Sequence, residues 1–371
     1  MDLKRLKMVG DPLADAAIAE ATSLGAQGNL LLDRAVTKGV DEQTPPAARA
    51  LIEDACKLDW TDMAQLRRGS EAYLSAGGTV ISLSLGPGSL AHTYSSPSIA
   101  RLLVKTGNLT EMALRRLLET GAWRIAAVIP DGLLPGNDGY LHSMKVRLLH
   151  ARVRYGVRKQ GWDEAVDGVP INQVDMIRTW LDFTYVPLTA LKALGVSFTK
   201  DEIRDIYHLW QAAAHILGVD DTIVRTIDGQ ESAKRLLDAI HDLEGPPNED
   251  SRRLTAAMIA AVGQLLAPGM KVSQKTGEKI VAASLRRIHG RAMAKALGVP
   301  WNWTALLLPF AAILTSIQHN RERKNPALRA KTVAAAMEFH FNRDKIIPGQ
   351  TTYERAAMEN AALGPPVTEK M

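Results

Sequence analysis

Residues 145–154 read KVRLLHARVR, and the flanking positions extend this stretch into one amphipathic helix. Between Ser143 and Val157 the apolar residues Val146, Leu149, Val153 and Val157 recur at spacings of three and four, the period of an α-helix. Arg147, His150 and Arg154 follow the i, i+3, i+7 rhythm and share a second face. That face sets a titratable imidazole between two permanent cations. Residue types alone leave two readings, a solvated basic edge whose histidine caps a backbone group, or the wall of a site.

Helical signals continue in both directions from this stretch. Downstream, Gly161–Pro170 reads as a loop and Asn172–Leu194 as a long apolar helix that Pro187 should kink. Thr199-Lys-Asp-Glu202 is a capping box, opening a helix that ends at Gly218. Further helices are expected over Gln230–Leu243, Ser251–Leu266, Lys275–Leu297, Trp303–Arg321 and Ala327–Asn342. Upstream, Asp11-Pro12 caps a helix that closes near Gly25, and Thr44 and Thr61 open two more. Ser96–Lys105 and Thr110–Val128 read as helices, and Asp131–Gly139 (DGLLPGNDG) as a loop. Gly77–Tyr94 is the least helical region, a buried irregular segment or a short helix. The fold class expected is therefore all-α. It is read as a single domain over 1–371, with a helical C-terminal extension over 222–346, a loose tail over 347–371 and only a marginal boundary at Glu244–Asp250.

Composition bounds the function from outside. The 371 residues are 46% hydrophobic and 23% charged, ordinary for a globular chain able to bury a large core. The net charge of +5 is spread over 45 basic and 40 acidic residues, too dilute for a nucleic-acid footprint. A single cysteine, Cys56, excludes an internal disulfide and a multi-thiolate metal site. The N-terminus lacks the apolar run of a signal peptide, so the expected location is cytoplasmic, or secreted if a leader once preceded Met1. The longest apolar run, Trp303–Leu314, is interrupted by Pro309 and falls short of the roughly 20 residues that span a bilayer; it reads as a buried core helix.

Several catalytic signatures are absent. The sequence contains no HExxH, GxSxG, GxxxxGK[ST] or GxGxxG after a strand, which argues against nucleotide-binding α/β enzymes. What remains are histidines on apolar helices. His208 and His215 share a face but lie ~10 Å apart along the helix, too far to ligate one ion, and read as core histidines. His142, His241, His289 and His319 read as solvated. A flat apolar cofactor such as haem needs a hydrophobic slot, one axial donor and cations for its propionates. His150 with Arg147 and Arg154, facing the apolar 172–194 stretch, offers all three.

Five segments in order carry a resemblance: GDPLAD (Gly10–Asp15), RLLETG (Arg116–Gly121), KVRLLHARVR (Lys145–Arg154), GVPINQVDMIRTW (Gly168–Trp180) and YHLWQAAAHILGV (Tyr207–Val219). From about Met8 to Asp221 the chain resembles the latex clearing proteins, bacterial rubber oxygenases, and the wider MpaB-type oxygenase superfamily. The resemblance implies a globin-like all-α haem core with added helices, a noncovalent b-type haem carrying iron, and dioxygen chemistry on the double bonds of polyisoprene. It places the family arginine at Arg147, a haem-facing residue at His150 where the latex enzymes often carry lysine, and Ala151 where many carry threonine. Arg154 is a further cation for a propionate or an ion pair. The family carboxylate maps near Asp131.

One position departs from that pattern. Leu181 stands where the latex clearing proteins have the histidine that binds haem iron, and an aliphatic side chain cannot coordinate. Three outcomes stay open: iron ligation by His150 from the opposite side, ligation by another residue such as Asp182 or the family-matched His215, or no haem. The expected function is thus a haem-b-dependent oxygenase of an apolar alkene-bearing substrate, with Arg147 and Asp131 as catalytic groups and His150 as metal ligand. The alternatives are a non-catalytic haem or apolar-ligand binder on the same scaffold, and a haem-free acid–base enzyme using Asp131 and His150. The partners expected are the substrate and dioxygen, with no nucleic acid and no transmembrane segment.

Overall fold

Side-chain caps divide the chain into helices largely where the sequence places them. The computed structural model describes residues 2–106 and 109–341. The first five helices are α1 (Leu3–Leu6), α2 (Pro12–Ser23), α3 (Gly25–Lys38), α4 (Pro46–Ala55) and α5 (Met63–Leu74). Asp11 caps α2 by accepting from the Ala14 N–H, with Pro12 in the first turn where its missing N–H is not needed. Then come α6 (Gly78–Ser84), a π-helical turn (Leu85–Leu90), α7 (Ala91–Tyr94), α8 (Pro97–Thr106) and α9 (Leu109–Val128). The central run is α10 (Asp138–Lys159), α11 (Glu164–Asp167), α12 (Gln173–Phe183), α13 (Tyr185–Ala193) and α14 (Lys200–Ile216). The Thr199–Glu202 capping box opens α14. Last are α15 (Asp221–Val224), α16 (Gln230–Leu243), α17 (Glu249–Met270), α18 (Gln274–Ala296), a 3₁₀ turn (Trp303–Leu306), α19 (Leu308–Lys324) and α20 (Pro326–Phe341). No strand occurs among the described residues, and the fold is all-α. The tail expected to be loose lies outside the described residues.

Two readings of the sequence are corrected, and two stretches that it left open take definite form. The expected Asn172–Leu194 helix is two helices, broken at Thr184 (φ −117°, ψ −81°). Proline at 187 cannot follow a continuous helix because its ring would meet the carbonyl of Phe183; the break puts Pro187 in the first turn of α13 instead. Of the two readings of Gly77–Tyr94 the helical one holds, from Gly78 to Tyr94, with Gly77 as the cap and the Gly-Pro-Gly accommodated in the wider π turn. The segment after Gly25 is a helix of its own, α3. Finally, Trp303–Leu314 is not a buried core helix but lies largely on the surface.

The main apolar core gathers α2–α5, α9, α10, α12–α14 and α16, and a smaller cluster joins the π turn and α7 to α17 and α18. Glycine lets α5 and α14 touch. A methyl on Gly69 would sit 2.2 Å from the Asp205 carbonyl oxygen. Gly69→Ala should therefore lower unfolding stability by roughly 1–3 kcal/mol, read from a denaturant midpoint. The control Gly121→Ala, with open space at its Cβ, should leave stability unchanged or raise it by about 0.5–1 kcal/mol.

Candidate functional site

Four of the five segments that carry the resemblance meet in one buried polar knot. Arg147 on α10 donates from Nε to Asp11 Oδ2 at 2.6 Å and from Nη2 to Asp11 Oδ1 at 3.1 Å. Its Nη1 reaches the Ile216 carbonyl at 3.4 Å, and Asp54 Oδ2 lies 3.7 Å from Nη2. Both side chains of the Arg147–Asp11 pair are 3% exposed, so the charges are matched in a dry setting. Two turns on, Arg154 donates from Nε to both oxygens of Asp15 (2.8 and 3.1 Å) and from Nη1 to the Ile171 carbonyl at 3.0 Å. Burial raises the Asp15 carboxyl pKa despite that neighbour. Gln173, at the start of α12, closes the knot. Its Nε2 donates to the Gly10 and Gly218 carbonyls at 2.9 Å each, and its Oε1 accepts from the Asp220 N–H at 2.9 Å.

His150 stands between these two arginines on α10 and has a different character. Its Nδ1 is buried with no hydrogen-bond partner. Burial, helped by the Arg154 charge, lowers its pKa from the ordinary 6.5 to about 4, so at neutral pH the ring is uncharged and keeps a lone pair. Ala151 beside it is fully buried. Thus α10 brings Arg147, His150, Ala151 and Arg154 together. However, each guanidinium nitrogen of Arg147 already has a protein partner, and in Arg154 only the buried Nη2 lacks one.

The remaining expected site residues are placed elsewhere. Asp131, held at φ 62°, is bound in two-pronged fashion by Arg67 (2.9 and 3.0 Å), on the edge of an apolar recess lined by Leu58, Met63, Leu66, Ile129 and Leu209. No contact joins it to His150. His215 is held by Asp221 Oδ2 and the Asp54 carbonyl, both at 2.8 Å, so neither ring nitrogen is left for a metal. Leu181 is a fully buried member of the main core.

Sequence reasoning missed two groups. Arg124 is a buried cation whose Nε and Nη1 have no partner, lying 5.7 Å from the Tyr73 ring centroid and next to the packed rings of Trp123, Phe183 and Trp210. The second group is a relay. Asp182 Oδ1 accepts from His92 Nδ1 at 2.6 Å, Thr93 donates to Asp182 Oδ2 at 2.6 Å, and His92 Nε2 pairs with His241 Nε2 at 3.0 Å. His289 stacks on His92 (centroids 5.7 Å apart) and donates to the Pro87 and Gly88 carbonyls of the π turn. Burial lowers the pKa of His241 and of His289 to about 4 each. None of this arrangement is local in sequence, which is why His241 and His289 read as solvated. His142 and His319, read the same way, are also buried. Among the described residues no three His, Cys, Asp or Glu side chains converge to hold a metal ion.

The described residues thus form an all-helical core in which a neutral histidine with an unpartnered ring nitrogen stands beside a buried arginine–aspartate pair. The chain belongs to the family described as ER-bound oxygenase mpaB/B'/Rubber oxygenase, catalytic domain, whose profile matches residues 69–318. That match reaches well past Asp221 into the C-terminal helices. A rubber oxygenase from Streptomyces sp. (strain K30) is 27% identical over 229 residues, covering 60% of this chain and 54% of the relative. The chain thus aligns with about half the length of that relative. The structure of latex clearing protein LCP in the closed state shares the fold, with a TM-score of 0.64 at 20% identity over 96% of this chain and 91% of that one.

Two outcomes test the geometry of the knot. Asp11→Ala strands Arg147 as a buried charge and should cost about 3–5 kcal/mol, measured by chemical denaturation. The second is a pH effect. An unfolded His150 takes up a proton near pH 6.5, whereas the folded one resists until about pH 4. The unfolded state therefore binds more protons across that window, and stability should fall as pH drops through it. His150→Gln, which cannot titrate, should flatten part of the fall in melting temperature between pH 7 and 4.5.

Proposed function

We propose that the chain is an oxygenase of the rubber-oxygenase class, which holds haem b through His150 and oxidises or cleaves an apolar, alkene-bearing substrate. One observation carries the reading beyond family membership: His150 is a neutral imidazole with an orphaned, buried ring nitrogen, the state an axial iron ligand requires. The fit is one-sided. Leu181 offers no donor, so a haem here would depend on His150 for its protein ligand. Among the described residues, the buried guanidinium nitrogens without a partner are Nε and Nη1 of Arg124, Nη2 of Arg154 and Nε of Arg178, and none belongs to Arg147.

Haem, when bound, would supply the iron at which dioxygen is activated. The protein's own contributions are distinct. Arg147 acts as a positioning residue: pinned by Asp11, it fixes the turn of α10 from which His150 projects. Burial and the Arg154 charge, not Arg147, keep the imidazole unprotonated. Asp131, neutralised by Arg67 and apart from His150, is poorly placed as a base working with that histidine. Leu181 favours one second reading, a haem or apolar-ligand carrier without turnover.

The absorption spectrum of purified protein, before and after added hemin, is the test. A Soret band in the wild type that is lost or strongly shifted in His150→Ala, yet retained in His215→Ala, is the expected result. Protein that neither carries nor takes up hemin contradicts the proposal. For loaded protein, oxygen consumption with polyisoprene or shorter terpenoids, with new carbonyl products, separates oxygenase from carrier.

A further inference from the structure

Helix α19 buries only Leu308, His319 and Glu322. The rest of its contact with the core is small: Ala312 packs so close that a methyl on Gly195 would lie 2.0 Å from its carbonyl oxygen, and His319 donates to the Ser197 carbonyl at 3.1 Å. Its outward side, with the turn before it, carries Leu306, Leu307, Phe310, Ile313, Leu314 and Ile317, each 45–69% exposed. These positions recur every three to four residues and form one stripe. Trp301 and Trp303 are exposed at its start. No charged residue occurs between Trp301 and Asn320. A soluble surface does not ordinarily show a contiguous apolar face of this kind unless something covers it.

The flanks indicate what covers it. Immediately beyond the stripe stand Arg321, Arg323 and Lys324, all exposed and with no carboxylate partner among the described residues, while the intervening Glu322 is turned inward and buried. The complementary partner is therefore apolar over roughly 15 Å of helix and anionic at its rim. A second copy meeting this face through a twofold axis would offer the same cations and no acidic residue in the stripe. Paired tryptophans beside an aliphatic face, with free cations next to it, match the headgroup boundary of a bilayer.

We propose that the Trp301–Lys324 face docks the protein on an anionic lipid surface, with the leucines, isoleucines and Phe310 entering the acyl boundary and Arg321, Arg323 and Lys324 meeting phosphate headgroups. This does not rest on haem binding or turnover. It would let an apolar substrate reach the enzyme from the lipid phase.

Co-sedimentation with vesicles of phosphatidylcholine alone, or mixed with phosphatidylglycerol, tests it on the full chain. Binding should be at least tenfold tighter to the anionic vesicles and should weaken with salt. The triple variant Arg321→Gln, Arg323→Gln, Lys324→Gln should weaken it on the order of a hundredfold. Phe310→Asp with Leu314→Asp, both at exposed positions, should abolish it while circular dichroism and melting temperature stay unchanged. Absence of vesicle binding overturns the proposal. So does binding indifferent to headgroup charge, or a stable dimer that the double aspartate variant converts to monomer.

Discussion

The buried two-pronged pair between Arg147 and Asp11 is the constraint the rest of the molecule is arranged to satisfy. A guanidinium removed from water is tolerable only if its N–H groups are met, and here Asp11, the Ile216 carbonyl and Asp54 meet them. To do so, the N-terminus of α2, the middle of α10 and the C-terminus of α14 must arrive at one point. Gln173 adds the start of α12. Gly218, at φ 76°, is part of the same requirement: a methyl there would lie 2.3 Å from Asp11 Oδ2 and 2.5 Å from Arg147 Nε.

This explains why short, separated segments carried the family resemblance. GDPLAD, KVRLLHARVR, GVPINQ and HILGV are far apart in the chain, yet each contributes a donor, an acceptor or a glycine to the same knot. Their shared chemistry is architectural before it is catalytic. His150 is the exception, because its partners stop short of its ring. The same helix turn thus holds both the part that fixes the scaffold and the part left free to bind something.

Much of the fold was legible because its signals are local. The Asp11-Pro12 cap, the Thr199–Glu202 box and the Gly218 stop each act within four residues. The break at Thr184 was less so, since a proline can kink a helix or begin a new one, and the choice is made by packing. The exposure of Trp303–Leu314 was illegible in principle, as hydropathy reports what a segment dislikes and not what covers it. The Asp182–His92–His241 chain was hidden for another reason: its members lie 90 and 149 positions apart, and only the tertiary fold assembles them. Of the site, His150 and its arginines were readable as a cluster, but not that Arg147 is fully engaged or that Arg124 is a buried cation with free N–H groups.

Placing haem on His150 without a histidine at position 181 has a spectroscopic signature. Electron paramagnetic resonance of the ferric, hemin-loaded protein is the most direct measurement. A high-spin signal from iron with a single protein imidazole, lost in His150→Ala, is the predicted result. A low-spin spectrum of two protein imidazoles, or a spectrum that His150→Ala leaves unchanged, would contradict it.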